Sequence, residues 1–472
     1  MSLIAEPPVH VQPYHHPRRK DKVDLAAVAD LIHKHVTESI CETVFIGNRT
    51  TERQRRWSLY AMAHFWIAVS LRAPKSLTHL LDHRQQRRDP LIPKVEATSE
   101  AFFSKMKNFK WGFFYALFKT IMPRFIKEAP CVYASQVEDL RKHFSEVWLM
   151  DGSQLAEVAR RLKILRHVRG AMLPGRLFAF YDLFRGICRH LQFDPDAARN
   201  ENLLATESLQ LVPEGALLVG DRLFGVIKHF KTLEQRKAYG VFRRNATVNI
   251  SRRIEIISRK QGGGRSYLED SLVEIGAGEN KVMLRLIRYC DGKRKLEVYT
   301  SVLDVTKLPP ETVVELYGLR WGIERMFFDL KIVLKLSRFY AGNPNAIAAQ
   351  VYAGAMVYNA FRIMQGHIAQ EHGIRPESLS PAKLYPRLID ACAGIADYHL
   401  TMHETIRANP GLKFNKPPFE NFGYATATLE TLLVEKKFKP RTKGLPNPRS
   451  VWLSWKKVRG GKKMLRECCK LS

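Results

Sequence analysis

Two short apolar runs that each end in an aspartate constrain the fold of this chain most strongly. VWLMDGS leads into Asp151, and ALLVGDRLF leads into Asp221. Runs of four to eight apolar residues that are bounded by polar ones are typical of buried strands. Open α/β sheets place their sites at the carboxyl ends of strands, so both aspartates are candidate site residues. A simple capping role at a strand end would explain either aspartate alone.

The neighbouring segments predict a mixed α/β sheet. Residues 176–194 suggest two strands connected near Arg185–Gly186, NENLLATESLQ suggests a helix, and YGVFRRNATVNI suggests a further strand. At about 245–305, four β-like segments are separated by QGGGR, AGEN and DGKRK turns, which predicts an all-β insertion. A long helical stretch is predicted after Pro309 and Pro310.

Residues 1–140 are predicted to be a helical region. VDLAAVADLIHKHV and SLYAMAHFWIAVSL carry apolar residues at helical spacing, which fits a DNA-binding unit and a plain helical bundle equally well. Trp57–Leu71 is too short for a membrane span, and Phe339–Phe361 carries several polar residues, so both are expected to be core helices. Without a secretory signal or a C-x-x-C pair, the chain is expected to be cytoplasmic and to have no membrane partner.

The charge of the chain points to a polyanionic partner. Lys and Arg number 76 against 46 Asp and Glu, a formal net charge of +30. From Lys436 to Ser472 there are thirteen basic residues and one acidic residue, within a predicted basic C-terminal region at 406–472. Such a distribution favours double-stranded DNA as the partner. The basic residues of the insertion expected to follow the DNA backbone are Arg252, Arg253, Arg259, Lys260 and Arg265.

A polar stripe on the predicted helix after Pro310 supplies the third element of the candidate site. At about 100° per residue, Tyr317, Arg320, Glu324 and Lys331 fall within an arc of about 60°. Apolar residues occupy much of the remaining surface of this helix. An exposed ladder of salt bridges would give the same spacing. Beside two strand-end aspartates, we instead interpret the stripe as facing a site.

Three carboxylates and two cations in one cleft fit metal-assisted phosphoryl transfer. Mg²⁺ prefers hard oxygen ligands, which carboxylates and phosphates supply. Two such ions can activate the attacking oxygen and stabilise the leaving one. The chain has no P-loop, H-E-x-x-H or G-x-S-x-G motif, so nucleotide hydrolysis, zinc proteolysis and α/β-hydrolase chemistry lack support.

Taken together, these motifs resemble the DDE transposases of the insertion sequence 4 family. The stripe Tyr317-GL-Arg320-WGI-Glu324-RMFFDL-Lys331 resembles the signature of that family. VWLMDGS and LLVGDRLF resemble its first and second acidic motifs, and the β-rich insertion lies between the second acid and the glutamate. The resemblance covers roughly residues 145–370.

The resemblance implies an RNase H-like catalytic core at 141–405, interrupted by the all-β insertion and preceded by the helical N-terminal domain. It implies that Asp151, Asp221 and Glu324 are catalytic and bind two Mg²⁺ ions, for which Mn²⁺ would substitute. It also implies that Tyr317, Arg320 and Lys331 contact DNA phosphates. The implied activity is binding of terminal inverted repeats, DNA cleavage and strand transfer by a homodimer in a synaptic complex, in bacterial cytoplasm.

Two other functions fit the same residues. An RNase H-like nuclease would cleave DNA without joining it to a target. A non-catalytic DNA-binding protein derived from a transposase would keep the basic surface without the chemistry, although the intact acids and helix stripe speak against decay.

Overall fold

A computed structural model describes most of the chain. The described residues are 21–48, 57–86, 91–92, 95, 97–154, 175–196, 199–262, 266–292, 294–336, 339–340, 343–408 and 423–434. Arg265 and the basic segment from Lys436 to Ser472 therefore lie outside the described residues.

The middle of the chain contains both strands and helices. The strands are β1 (Lys22–Asp24), β2 (Val147–Gln154), β3 (Arg176–Asp182), β4 (Ile187–Asp194), β5 (Leu217–Gly220), β6 (Tyr239–Arg243), β7 (Ile250–Gln261), β8 (Ser266–Ile275), β9 (Val282–Asp291), β10 (Lys295–Thr300) and β11 (Thr426–Thr428). The helices are α1 (Ala27–His35), α2 (Glu38–Asn48), α3 (Leu59–Arg72), α4 (Leu77–Gln86), α5 (Ser99–Asn108), α6 (Gly112–Glu128), α7 (Glu201–Leu209), α8 (Ile227–Gln235), α9 (Pro310–Leu319), α10 (Trp321–Phe328), α11 (Pro344–Glu371), α12 (Pro381–Ala408) and α13 (Leu429–Leu432).

The central feature is one mixed sheet with the strand order β4-β3-β2-β5-β6-β10-β9-β8-β7. Strands β2, β5 and β6 run parallel to one another, and the other neighbouring pairs are antiparallel. The predicted mixed α/β sheet is thus confirmed. The predicted strands of the insertion are β7–β10, and they extend this sheet because β10 pairs with β6.

The first half of β2, Val147–Met150, is a continuous apolar run that is buried on both faces of the sheet. Leu149 lies in the core that the sheet shares with the helices around α11. Trp148 and Met150 lie in a second core with residues of α7 and α8. Since successive side chains of a strand point to opposite faces, a strand buried on both sides carries a continuous apolar run. The same alternation directs residue 151 to the face that carries Leu149.

Helix α11 is the centre of the helical part of the fold. Its residues from Ala346 to Gly366 are buried, and helices α1–α6 share its apolar core. The buried Asn359 is satisfied because it accepts a hydrogen bond from the Cys188 amide (2.8 Å) and donates one to the Cys188 carbonyl (2.9 Å). The two long apolar stretches of the sequence are therefore core helices. No helix within the described residues combines the length and hydropathy needed to cross a membrane.

The termini of the described part also meet. Strand β1 pairs antiparallel with β11, so residues near the start of the N-terminal helical region contact a strand of the predicted C-terminal region. Helices on the N-terminal side of residue 140 thus pack against elements from the C-terminal half of the chain. The division into a binding domain, a catalytic domain and a basic region stays a prediction.

Candidate active site

The parallel register brings Asp151 and Asp221 side by side. The prediction that Asp151 ends its strand was wrong, because β2 continues to Gln154 through its antiparallel pairing with β3, and only its parallel pairing with β5 stops at Met150. Met150 of β2 pairs with Gly220 of β5, so Asp151 and Asp221 follow equivalent positions on neighbouring strands. Neighbouring strands lie about 5 Å apart. Both aspartates continue the series of side chains, such as Leu149 and Val219, that face the core around α11.

Helices α9 and α10 lie next to the two aspartates, and their polar stripe faces these side chains. The Tyr317 hydroxyl donates to Asp221 Oδ1 (3.2 Å). Arg320 Nη1 lies 3.6 Å from Asp151 Oδ2, and its Nη2 donates to Glu324 Oε1 at 2.8 Å. Arg320 is only 5% exposed, so the stripe faces the sheet edge and is not a solvent-exposed salt-bridge ladder.

Lys331 also contacts β2, from a π-helical turn that follows α10. It lies in a single π-helical segment, Asp329–Val333, and its Nζ donates to Ser153 Oγ at 2.6 Å. Single π turns inside helices are frequent at functional sites. The structure therefore brings together all six sequence-predicted residues of the helix stripe and the strand ends, while their chemical roles stay predictions.

The carboxylates are close enough to alter one another's acidity. Burial raises the pKa of Asp151 to about 7; the Arg320 guanidinium opposes this rise, and the charges of Glu324 and Glu201 add to it. Burial also raises the pKa of Glu324, where Arg320 again opposes and Asp221 adds to the rise. The site thus holds more negative charge than its arginine compensates.

Glu201 is a fourth acid at this site that the sequence did not indicate. It is the first residue of α7, and its Oε2 lies 3.3 Å from Arg176 Nη1 of β3. Burial raises the pKa of Glu201, and Asp221 contributes to the rise. An acid in the first turn of a helix is common for local reasons, so the sequence pattern alone favoured a helix start.

The donor set suits a magnesium-type cation that binds jointly to protein and substrate. Within the described residues, no group of three or more His, Cys, Asp or Glu side chains is arranged to hold a metal ion by itself. The Arg320 guanidinium contacts both Asp151 and Glu324. Mg²⁺ is usually bound by one or two carboxylates, with substrate phosphates and water completing its octahedral shell. The carboxylates therefore fit such an ion when substrate phosphates and water complete its shell.

The basic residues predicted on the insertion, as far as the structure describes them, lie on the outermost strand of the sheet. Arg252, Arg253, Arg259 and Lys260 lie on β7, the exposed outermost strand of the sheet. Three strands separate β7 from β6, a distance of about 20 Å across the sheet. Only the end of β7 approaches the site helices, where Lys260 forms an ion pair with Glu311 in the first turn of α9.

Comparisons with known proteins match the central part of the chain. Residues 168–360 match the family described as the transposase DDE domain, a range that includes Asp221, Glu324 and Glu201 but begins after Asp151. A protein of Synechocystis sp. described as a transposase for insertion sequence element IS4SA is 24% identical over 170 residues, which are 35% of this chain and 46% of that protein. The match therefore spans less than half of that relative's length.

Two further similarities cover more of the chain. A protein of Sinorhizobium fredii described as transposase y4zB is 25% identical over 240 residues, which are 47% of this chain and 67% of that protein. A cryo-EM structure of the piggyBac transposase synaptic complex with hairpin DNA aligns with 84% of this chain and 86% of its own chain, at 13% identity and a TM-score of 0.39. Residues 168–360 thus match the transposase DDE domain family, and the predicted resemblance of the chain to the DDE transposases of insertion sequences is confirmed.

Proposed function

We propose that this chain is the transposase of an insertion sequence and that it cleaves and joins DNA with divalent metal ions. The catalytic core is RNase H-like and is formed by β2–β6 with the helices that cover them. Asp151, Asp221 and Glu324 are its catalytic and metal-binding acids. Mg²⁺, or Mn²⁺ in its place, supplies activation of the attacking oxygen and stabilisation of the leaving oxygen when two ions are bound.

One observation carries this proposal. Two adjacent parallel strands and one helix face each supply an acid where the parallel pairing ends, and the buried Arg320 contacts two of the three. The three carboxylates carry more negative charge than the one positive charge of Arg320 balances. Such a cluster favours binding of a further cation, because a bound cation keeps neighbouring carboxylates ionised.

The remaining residues of the stripe hold the DNA and orient the acids. Tyr317 fixes the Asp221 carboxylate through its hydroxyl. Arg320 presents its planar guanidinium to carboxylates now and to a neighbouring phosphate when DNA is bound, since both have the same bidentate geometry. Lys331 adds a point charge beside Ser153, where it binds a second phosphate.

DNA beyond the cleavage site is bound by basic surfaces outside the core. The N-terminal helical region recognises the terminal inverted repeats, and the arginines and lysine of β7 follow the DNA backbone. Two copies of the chain act on paired ends. These parts of the proposal rest on the confirmed resemblance and on the charge and exposure of β7.

The test is a cleavage and joining assay. Purified protein is incubated with Mg²⁺, a labelled DNA fragment that carries the ends of the element, and a target plasmid. We expect cleaved ends and joined product from the wild type and neither product from Asp151→Asn, Asp221→Asn or Glu324→Gln. Glu214→Gln is the control, because Glu214 forms an exposed pair with Lys237 at the opposite end of β5.

Each outcome assigns one function. Cleavage without joined product would identify a nuclease and overturn strand transfer. Specific DNA binding without cleavage by the wild type would identify a non-catalytic DNA-binding protein. Full activity of Asp151→Asn would overturn the assignment of the acids.

A further inference from the structure

We propose that Glu201 is a positioning residue that sets the backbone beside Asp151 and thereby the direction of the Asp151 carboxylate. This inference rests on the proposed function, since it concerns an acid assigned to catalysis there. It adds a residue from a different element, α7, to the acids that the sequence motifs supply.

The first observation is the close approach of Glu201 to the residue after Asp151. A Cβ atom built on Gly152 would lie 2.5 Å from Glu201 Cδ and 2.9 Å from its Cγ. These distances are far below van der Waals contact, so the carboxyl group occupies the space of a side chain at position 152. The φ angle of Gly152 is not among the positive ones of the chain, so its backbone would otherwise accept alanine.

The second observation is that the Gly152 amide interacts with both acids. The Gly152 amide donates to Asp151 Oδ1 at 2.9 Å. The same amide opposes the rise that burial causes in the pKa of Glu201. The Gly152 backbone therefore lies beside both acids, and moving Glu201 changes the surroundings of Asp151 directly.

The third observation is that Glu201 is itself held in place. Arg176 and Glu201 form an ion pair in which the side chains are 13% and 22% exposed. Asn200 caps α7 by accepting a hydrogen bond from the Asn202 amide at 2.8 Å. Thr206 of the same helix lies 3.3 Å from His229 Nε2, and His229 in turn contacts the Phe224 carbonyl in the turn after Asp221. Helix α7 thus contacts the segments that follow both aspartates.

The geometry yields a compensation test. Gly152→Ala places a methyl group where the Glu201 carboxylate lies and displaces it. Glu201→Ala removes the carboxylate and leaves room for that methyl group. We expect each single variant to lower the rate of DNA cleavage about tenfold or more, as for loss of a hydrogen bond to a charged group. The double variant should cleave within about threefold of Glu201→Ala, because the two changes act on one contact.

Two further readouts separate positioning from other roles. Hydrogen exchange of the peptide that covers residues 147–154 should be faster in Glu201→Ala and unchanged in the matched control Glu207→Ala, an exposed acid of the same helix. The Mg²⁺ concentration for half-maximal cleavage should stay within about twofold of wild type, since a positioning residue lowers the maximal rate rather than ion binding.

Several results would overturn the inference. One is a double variant that cleaves DNA more slowly than both single variants. Another is hydrogen exchange of the 147–154 peptide at the wild-type rate in Glu201→Ala. A third is a tenfold rise in the Mg²⁺ concentration for half-maximal cleavage, which would make Glu201 a metal ligand. If the wild type cleaves no DNA, the proposed function fails. In that case the exchange comparison still decides whether Glu201 holds the Gly152 backbone.

Discussion

The buried ion pair between Asp270 and Arg285 gives a prediction whose magnitude follows from the structure. Asp270 lies on β8 and Arg285 on β9, and both side chains are fully buried. Arg285 Nε lies 3.1 and 3.2 Å from the two oxygens of Asp270. Its Nη1 also donates to the carbonyls of Val302 (3.1 Å) and Leu308 (2.9 Å), in the segment that leads into α9.

Asp270→Asn removes the negative charge but keeps the shape of the side chain. The Arg285 guanidinium then stays buried without its counter-ion, and breaking a fully buried pair in this way costs about 3–5 kcal/mol of the free energy of unfolding. The control Glu214→Gln breaks a pair whose side chains are 68% and 73% exposed. An exposed pair contributes less than about 1 kcal/mol.

The assay is urea unfolding at pH 7, followed by circular dichroism and tryptophan fluorescence. At a urea m value of about 2–3 kcal/mol/M, the loss corresponds to a midpoint lower by about 1–2 M. Glu214→Gln should unfold within a few tenths of a molar of wild type. An Asp270→Asn midpoint equal to that of the control would refute the reasoning, because the charge would then not be essential to the packing of β8, β9 and the start of α9.

Three other predictions concern single side chains. Tyr317→Phe removes the hydroxyl that donates to Asp221, so the DNA cleavage rate should fall about tenfold with an unchanged urea midpoint; an unchanged rate would remove Tyr317 from the site. Burial lowers the pKa of His64 to about 4, below the value near 6.5 of the unfolded chain, so its contribution to stability is complete above pH 6.5 and is lost as the pH falls toward 4. Between pH 6.5 and pH 5 the wild type should therefore lose about 2 kcal/mol more of its free energy of unfolding than His64→Gln loses. Equal losses in the two proteins would contradict this assignment. Arg259→Ala should reduce the slope of log DNA affinity against log salt by about one, whereas Lys237→Ala should not change it.

Elements with a strong local pattern were predictable from the sequence. The runs before Asp151 and Asp221 are strands because their apolar residues are buried on both faces of the sheet. The helix stripe was predictable because a rotation of about 100° per residue places Tyr317, Arg320 and Glu324 on one face. The structure adds a break in helix hydrogen bonding at Arg320 and a π turn at Lys331. Arg320 still contacts Asp151 and Glu324, and Lys331 donates to Ser153.

Contacts between distant segments were not predictable in the same way. The pairing of β10 with β6 joins the insertion to the central sheet, and no local pattern in either strand specifies the other as its partner. Glu201 carries the local pattern of an ordinary helix start, so its place beside Asp151 depends on where α7 packs.

The sequence by itself determined the strands and the helix face and predicted the acids, because hydrophobic periodicity and motif spacing are properties of consecutive residues. Only the tertiary structure decided that β2 and β5 are adjacent and parallel, that Arg320 contacts both Asp151 and Glu324, and that Glu201 occupies the side-chain space of Gly152. The physical reason is that the sheet register and the packing of α7, α9 and α10 bring together groups separated by tens of residues. Only at that short distance do the charges of these groups act on one another.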